Sequence, residues 1–505
     1  MSESILELTP KASIKKMGKV ERLIEELHES GVRYCHWKSN LALSQSLAGQ
    51  SDIDVLVHRE EAPRFRQILM NLGFRPSSDK DAPAFPSIEH YFALDEDSGV
   101  LVHVHAYYRV ITGDSLVKNY RLPIETLLLE NTRLESGLRV PLKSVELIVF
   151  VLRIMLKHTS VVELLLVGRY WKQVKQEIAW LREGGSLEET LGYLADWLPT
   201  VDADLFTACT AAIESPAPLP RRIGLGLKLR SQLKSYARYS AGRVMVDSLR
   251  KFADMVRRRL TKSHKELALR SGGAVIAFVG SEATGKSTLL NEMRGWLGEH
   301  FAVEQVHAGK PASTALTFLP NLFLPMLRSL LPGSRSSRLE AQYAKEAAEQ
   351  QSRSSYPFIF VLRAALLAFD RRTLLLKSFK QAANGVLVLC DRYPSAKAGA
   401  PDSPQLTPLA EAGGSSLRHR LARLEARWYR EIPPPDLVVY LSAPLEITLT
   451  RNANRSKKEP EDYVRQRHSR STRLYFERTR VVAINTDQPF DKTLMEVKQA
   501  IWSLL

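Results

Sequence analysis

Cysteine is scarce in this sequence, with three in 505 residues, at positions 35, 209 and 390. Few, far apart and odd in number, they argue against a disulfide framework and a cysteine-based zinc site, and they fit a reducing compartment. Long uncharged apolar runs are lacking too: the best stretch, VELIVFVLRIML, is broken by Arg153 before it could span a bilayer. The N-terminus, MSESILELTPKASIKK, has no apolar core of the kind a secretory signal needs, so a cytoplasmic location is expected. There is no internal repeat, and no zinc-finger, RNA-recognition or helix-turn-helix signature. The remaining composition is 44% hydrophobic, 25% charged and 8% aromatic, which excludes wholesale disorder and fibrous assembly. A chain of this length is expected to form about two to four domains.

Charge is what the sequence has in excess. It carries 71 Lys/Arg against 55 Asp/Glu, a net +16. Alone, that number points to nucleic acid, an anionic membrane surface or phosphorylated ligands. The excess is local, however: residues 221–270 hold 15 Lys/Arg against Asp247, Asp254 and Glu266, leaving only +4 for everything else. In this segment Leu, Tyr, Val, Met and Phe recur at helical spacing, with Lys/Arg on the remaining face. It reads either as an interdomain arm packing its apolar stripe on a neighbouring domain or as a helix lying on anionic lipid. Nucleic acid is the less favoured partner, and self-association is left open.

The hydropathy pattern divides the chain into four. Residues 1–125 read as an α+β domain, with strands at VRYCHW and DIDVLV, a helix over PRFRQILMNLGF, a polar stretch PSSDKDAPAFPS and a hairpin HYFALDEDSGVLVHVHAYYRV. Residues 126–214 read as helical and 215–270 as a basic amphipathic connector opening at SPAPLP. Residues 271–505 alternate apolar strands with helices, the pattern of an α/β domain with a parallel sheet flanked by helices.

The sharpest motif is GSEATGKST, Gly280–Ser281–Glu282–Ala283–Thr284–Gly285–Lys286–Ser287–Thr288. It follows the strand AVIAFV and opens the helix STLLNEMRGWL, the setting of a phosphate-binding P-loop. Glycines let the backbone wrap phosphates, Lys286 brings a point charge, and the Ser287 hydroxyl can ligate Mg²⁺. A second strand, GVLVLCDRYP, ends at Asp391, a further Mg²⁺ candidate, with Arg392 offering a bidentate fork beside it. ATP and Mg²⁺ are therefore the expected ligands.

Over about 272–505 these motifs resemble the thymidylate kinase-like branch of P-loop nucleoside-monophosphate kinases. The resemblance implies that Glu282 lies near the acceptor sugar and that Arg371, in FDRRTLL, lies on the acceptor together with Arg392. It implies that RNANRSKK is a basic lid whose Arg451 and Arg455 neutralise the transferred phosphoryl, and that Asn485 and Thr486 lie against adenine. Three departures accompany it. HAGKP leaves Lys310 as the cation after the second strand, Leu367 stands where a stacking aromatic is expected, and 316–338 is an insertion with prolines at 320, 325 and 332. The expected acceptor is a nucleoside monophosphate or a related phosphorylated or sugar-like molecule.

In SDIDVLV, Asp52 and Asp54 project to the same face of a strand and can share a divalent metal. Over about 15–125 this resembles the nucleotidyltransferase superfamily, and within it an uncharacterised family with Lys-Gly at the preceding turn. Here Lys38 matches and Ser39 replaces the glycine; His103 stands where a third carboxylate is expected, and His105 follows. Three functions are thus expected to compete: a P-loop phosphotransferase, a nucleotidyltransferase acting through Asp52 and Asp54, and a membrane-associated nucleotide sensor.

Overall fold

The computed structural model describes residues 16–80, 87–113, 117–158, 171–215, 217–261, 267–314, 317–318, 356–397, 400–456 and 458–505. It divides into two compact units, Met1–Lys265 and Glu266–Leu505.

The first unit opens with the helix Gly18–Ser30, whose Val20, Leu23, Ile24 and Leu27 form one buried face and which Gly31 ends in the left-handed conformation. Nine strands follow: β1 Tyr34–His36, β2 Ile53–Val57, β3 Arg75–Asp79, β4 Ile88–Leu94, β5 Leu101–Tyr107, β6 Val110–Thr112, β7 Tyr120–Leu122, β8 Thr132–Glu135 and β9 Leu138–Pro141. In the main sheet the order runs β1–β2–β5–β4–β3, with β2 and β5 parallel and the other pairs antiparallel. The expected β4–β5 hairpin forms around Asp95, whose carboxylate accepts from Ser98 N at 3.0 Å. The start of the polar stretch PSSDKDAPAFPS is a strand: β3 pairs with β4 and turns Ser77 inward, because Phe74 anchors its start in the core and the ladder needs only its backbone.

The helices Lys143–His158, Trp171–Arg182, Leu187–Trp197, Ala203–Glu214 and Leu219–Gln232 pack on the same unit. Their Ile148, Leu152, Phe206 and Leu229 share one core with Trp37, Leu56 and Tyr107 of the strand region. The first half of the basic segment reaches this core through Leu229 and Leu233, which are fully buried. Its second half, the helix Ala241–Thr261, behaves differently: Met245 is 63% exposed, Leu249 63%, Val246 45% and Val256 40%. Val244, Phe252 and Met255 of the same helix are half-buried.

In the second unit, β10 Leu267–Leu269 and β11 Ala274–Gly280 precede the helix Lys286–Gly298. Then come β12 Val303–His307, the helix Phe358–Ala383, β13 Leu387–Asp391, the helix Leu417–Arg430 and β14 Leu437–Ser442. The helices Leu445–Ala453 and Glu461–Ser471, β15 Arg480–Asn485 and the helix Phe490–Leu504 complete it. The sheet is parallel throughout, in the order β12–β13–β11–β14–β15. This is the expected α/β architecture, and the chain order reverses around β11, placing a crevice at the carboxyl ends of β11 and β13. Only the inner strands are buried on both faces; β12 and β15 are the margins, and Gln305 and Val481 are exposed there. All three cysteines are buried and free. Among the described residues no helix is long and apolar enough to cross a membrane.

Candidate active site

The loop Gly280–Gly285 joins β11 to its helix. Gly280 has φ 145°, and a Cβ there would lie 2.2 Å from Leu441 O on β14, so a side chain is excluded. Gly285 at φ 85° is the cap from which the helix starts. Thr284 Oγ1 donates to Ser281 O at 2.9 Å and tightens the loop. Lys286 is buried; its Nζ donates to Gly280 O at 3.2 Å and to Ser281 O. Burial pulls its ammonium down to about 8, with Glu282 opposing that shift. Ser287 and Thr288 are exposed in the first turn, where helix N–H groups have no intrahelical partner and suit an anion.

Asp391 lies beside Phe278 at the end of β13. Its Oδ2 faces His307 Nδ1 at 3.7 Å, whereas its Oδ1 is buried without a hydrogen-bond partner. A buried carboxylate oxygen left unpaired is costly, and a hard cation or its water shell would satisfy it. With the Ser287 hydroxyl at the helix start, the residues present fit Mg²⁺.

Arg392 has φ 71°, and its Nη2 donates to Glu282 Oε1 at 2.6 Å. Gly309 makes room for it: a Cβ there would stand 2.3 Å from Arg392 Cδ. Two residues that sequence reasoning missed complete this side. Asp402 Oδ2 faces Arg392 Nη1 at 3.6 Å and Arg467 Nη2 at 3.7 Å, and Arg467 Nε faces Glu282 Oε1 at 3.4 Å. Burial would raise the Glu282 carboxyl, but Arg392 and Lys286 outweigh it and hold it below the usual carboxylate range.

Arg371, expected on the acceptor, is a strut. Its Nε donates to Ala308 O at 2.7 Å, Nη1 to Asp402 O at 3.0 Å and to Tyr429 Oη, and Nη2 to Gly309 O and Asp402 Oδ1 at 3.3 Å. All five guanidinium donors are engaged, and the residue is 2% exposed. Beneath it, Glu425 accepts from Gln405 N and Leu406 N, and burial pushes its carboxyl up to about 7. Lys310 is exposed just beyond β12, and Leu367 is half-buried on the Phe358–Ala383 helix.

On the other side of the loop, Ala283, Thr284, Gly285 and Thr288 line a cavity of about 330 Å³ together with Arg451, Arg455 and Thr486. Arg451 Nη1 donates to Thr486 Oγ1 at 3.0 Å and Nη2 to Thr486 O at 2.7 Å. Gln488 and Phe490, which no motif flagged, also line it. Asn485 does not; it is exposed, and its Oδ1 accepts from Asp487 N at 2.9 Å. The insertion 316–338 lies outside the described residues, apart from Thr317 and Phe318.

In the first unit the strand register gathers the second constellation. Asp54 pairs with His105 across β2–β5, and His105 and His103 pair with His90 and Phe92 across β5–β4. The rings stack, His90 on His105 at 4.3 Å and Phe92 on His103 at 4.2 Å. His103 Nδ1 is 2.7 Å from Asp52 Oδ1, and His105 Nδ1 is 3.3 Å from Asp54 Oδ1. Lys38 Nζ stands 3.0 Å from both Asp54 Oδ1 and Tyr107 Oη. Ser39 has φ 61°, and its Oγ accepts from the Arg153 guanidinium at 3.4 Å. Burial holds His105 down to about 4, so it is neutral at pH 7; burial would raise Asp54, but Lys38 and His105 keep it ionised. Where a divalent metal was expected between Asp52 and Asp54, the lysine ammonium already neutralises Asp54. Among the described residues no group of three or more His, Cys, Asp or Glu side chains is placed to hold a metal ion.

Seven non-glycine residues have positive φ among those described, and Ser39, Ala283, Arg392 and Asp402 belong to these two constellations. Such backbone strain concentrates where function holds it in place.

No family model matches the chain. The uncharacterized ATP-binding protein YghR of Escherichia coli, from strain K12 and from strain O6:H1 CFT073, is 24% identical to it over 234 residues, covering 45% of this chain and 86% of that protein. Among solved structures, deoxyadenosine kinase from M. mycoides with bound dATP is similar at a TM-score of 0.26 and 15% identity, over 44% of this chain and 96% of that one.

Proposed function

We propose that the second unit is an ATP-dependent phosphotransferase that moves the γ-phosphoryl of ATP to a hydroxyl of a small acceptor. The observation that carries this reading is the juxtaposition of Lys286 in a glycine-shaped phosphate loop with the unpaired Asp391 Oδ1 on the adjoining strand. The ATP-binding name of the E. coli relative is consistent with it.

In this reading the triphosphate lies along the loop amides and the helix N-terminus, with Lys286 exchanging Gly280 O and Ser281 O for phosphate oxygens. The nucleoside occupies the cavity bounded by Arg451, Thr486 and Phe490. Ser287 and Asp391 would hold Mg²⁺, which neutralises phosphate charge when bound. Glu282 accepts from the acceptor hydroxyl and orients it. The hydroxyl oxygen bonds to the γ-phosphorus as the bond to the bridging oxygen of ADP breaks, and the proton leaves through Glu282 to solvent. Arg451 and Arg455 close over the transferred group. The test is transfer of label from γ-labelled ATP across a panel of nucleosides, nucleotides, sugars and sugar phosphates. Label transfer that survives Lys286→Ala would sink the proposal.

With Lys38 on Asp54 and no group of three ligands placed for a metal among the described residues, nucleotidyl transfer at Asp52 and Asp54 is the less favoured reading. If that site carried the main activity, Asp52→Asn rather than Lys286→Ala would abolish nucleotide consumption. The open stripe of Met245, Leu249 and Val256, backed by Arg243, Arg250, Lys251 and Arg257, supports docking of the Ala241–Thr261 helix on an anionic bilayer.

A further inference from the structure

We infer that Gln488 reads the base of the donor nucleotide, by accepting a hydrogen bond from the amino group at C6 of adenine. The inference rests on the phosphotransferase reading, which puts the nucleoside in the cavity of about 330 Å³ beside the phosphate loop.

Every base has two flat faces that stack alike, so its identity lies in the polar groups along its edges. Phe490, 46% exposed, and the guanidinium of Arg451 line the cavity and suit a face. An edge needs a polar side chain with capacity to spare, and most of the polar lining is committed elsewhere. Thr486 Oγ1 donates to Ser442 O at 3.1 Å and accepts from Arg451 Nη1, while its carbonyl accepts from Arg451 Nη2. Thr493 is 3% exposed, and its hydroxyl donates back to Pro489 O at 3.3 Å. Thr288 stands in the first turn of the helix that follows the phosphate loop, where it serves phosphates.

Gln488 is different. Its Nε2 donates to Glu496 Oε2 at 3.0 Å, on the Phe490–Leu504 helix. A carboxylate accepts only, so it takes the NH2 end of the amide and leaves the carbonyl end for a ligand. That oxygen accepts from no other group among the described residues. An amide held this way can receive a hydrogen bond from a base and cannot give one. The amino group of adenine satisfies it. A carbonyl group in the same place would set oxygen against oxygen, in a half-buried position where an unmade hydrogen bond is costly. Gln488 is therefore a specificity-determining residue, and Glu496 is the positioning residue that fixes which end of the amide the base meets.

The experiment titrates ADP and purine riboside 5′-diphosphate, which lacks only the amino group, into the full chain with Mg²⁺, by calorimetry. The wild type should bind ADP about tenfold more tightly. Gln488→Leu should bring the two within about twofold of each other. Glu496→Ala, which lets the amide turn its NH2 to the base, should shrink the ratio at least about threefold. Equal binding by the wild type overturns the inference, as does a ratio that Gln488→Leu leaves unchanged while the variant melts like the wild type. Where Gln488→Leu melts earlier, the ratio for Glu496→Ala decides, and an unchanged value overturns the inference. Failure of ADP to bind the wild type overturns the phosphotransferase reading together with this one. Label from γ-labelled ATP that reaches no acceptor, while the preference for ADP stands, overturns the phosphotransferase reading alone.

Discussion

Arg392 reaches from the end of β13 to Glu282 in the phosphate loop, closing a 2.6 Å ion pair between neighbouring parallel strands. In the phosphotransferase reading it anchors the acceptor-orienting carboxylate of the loop to the end of the neighbouring strand. Loss of the pair should therefore affect transfer more than nucleotide binding. Arg392→Gln is expected to lower kcat by roughly 10²-fold with ATP affinity changed less than about threefold, read by steady-state kinetics beside calorimetry.

Lys286 is the converse case. Removing its ammonium deletes charge-assisted contacts to phosphate, so Lys286→Ala should weaken ATP binding by roughly 10- to 100-fold. Calorimetry with ATP checks it; unchanged affinity would mean that the loop amides alone hold the nucleotide.

Gly280 carries a structural demand that can be measured without substrate. Gly280→Ala would set a methyl group 2.2 Å from Leu441 O at a φ of 145°. A loss of at least about 3 kcal/mol in the stability of the second unit is expected, seen as an earlier denaturant transition.

Glu425 should give the second unit a pH-dependent stability. Its carboxyl is pushed up to about 7 by burial, from an ordinary value near 4.5. The folded state therefore holds a proton that the unfolded chain has lost, and stability falls as pH rises from about 4.5 to about 7, then levels. Glu425→Gln should remove most of that slope, on the order of 3 kcal/mol, in denaturant titrations at pH 5 and pH 8.

The Ala241–Thr261 helix predicts a salt-sensitive surface. The full chain should sediment with phosphatidylserine vesicles at low ionic strength and be released by about 0.5 M salt. Leu249→Glu should reduce binding at least about tenfold, because it puts a carboxylate in the centre of the open apolar stripe. Equal binding to neutral vesicles would rule out the electrostatic part.

What could be read from the sequence was local in the chain. The phosphate loop, Asp391 and Arg392 are bracketed by their own strands and helices, and the five-stranded parallel sheet follows from its apolar runs. Asp402 and Arg467 were not legible, since each acts through partners on other elements and neither stands in a motif. Arg371 was located on its helix, but its role depends on carbonyls at Ala308 and Gly309 that only the fold brings to it. In the first unit, Asp54 and His105 were legible as residues, while the stacking of His90 on His105 required a strand register that pattern alone does not supply. β3 was hidden because its pairing uses backbone groups behind polar side chains.

The burial of all three thiols has a practical consequence. Cys35 and Cys209 belong to the first unit and Cys390 to the second, one residue before Asp391 on an inner strand. Burial pushes the Cys209 thiol up to about 12 and raises those of Cys35 and Cys390 as well, so none reacts while its surroundings stay closed. An alkylating reagent followed by peptide mapping therefore acts as a clock for each half separately. Cys390 labelling times the opening of the sheet beside Asp391, and nucleotide should slow that clock without touching the other two.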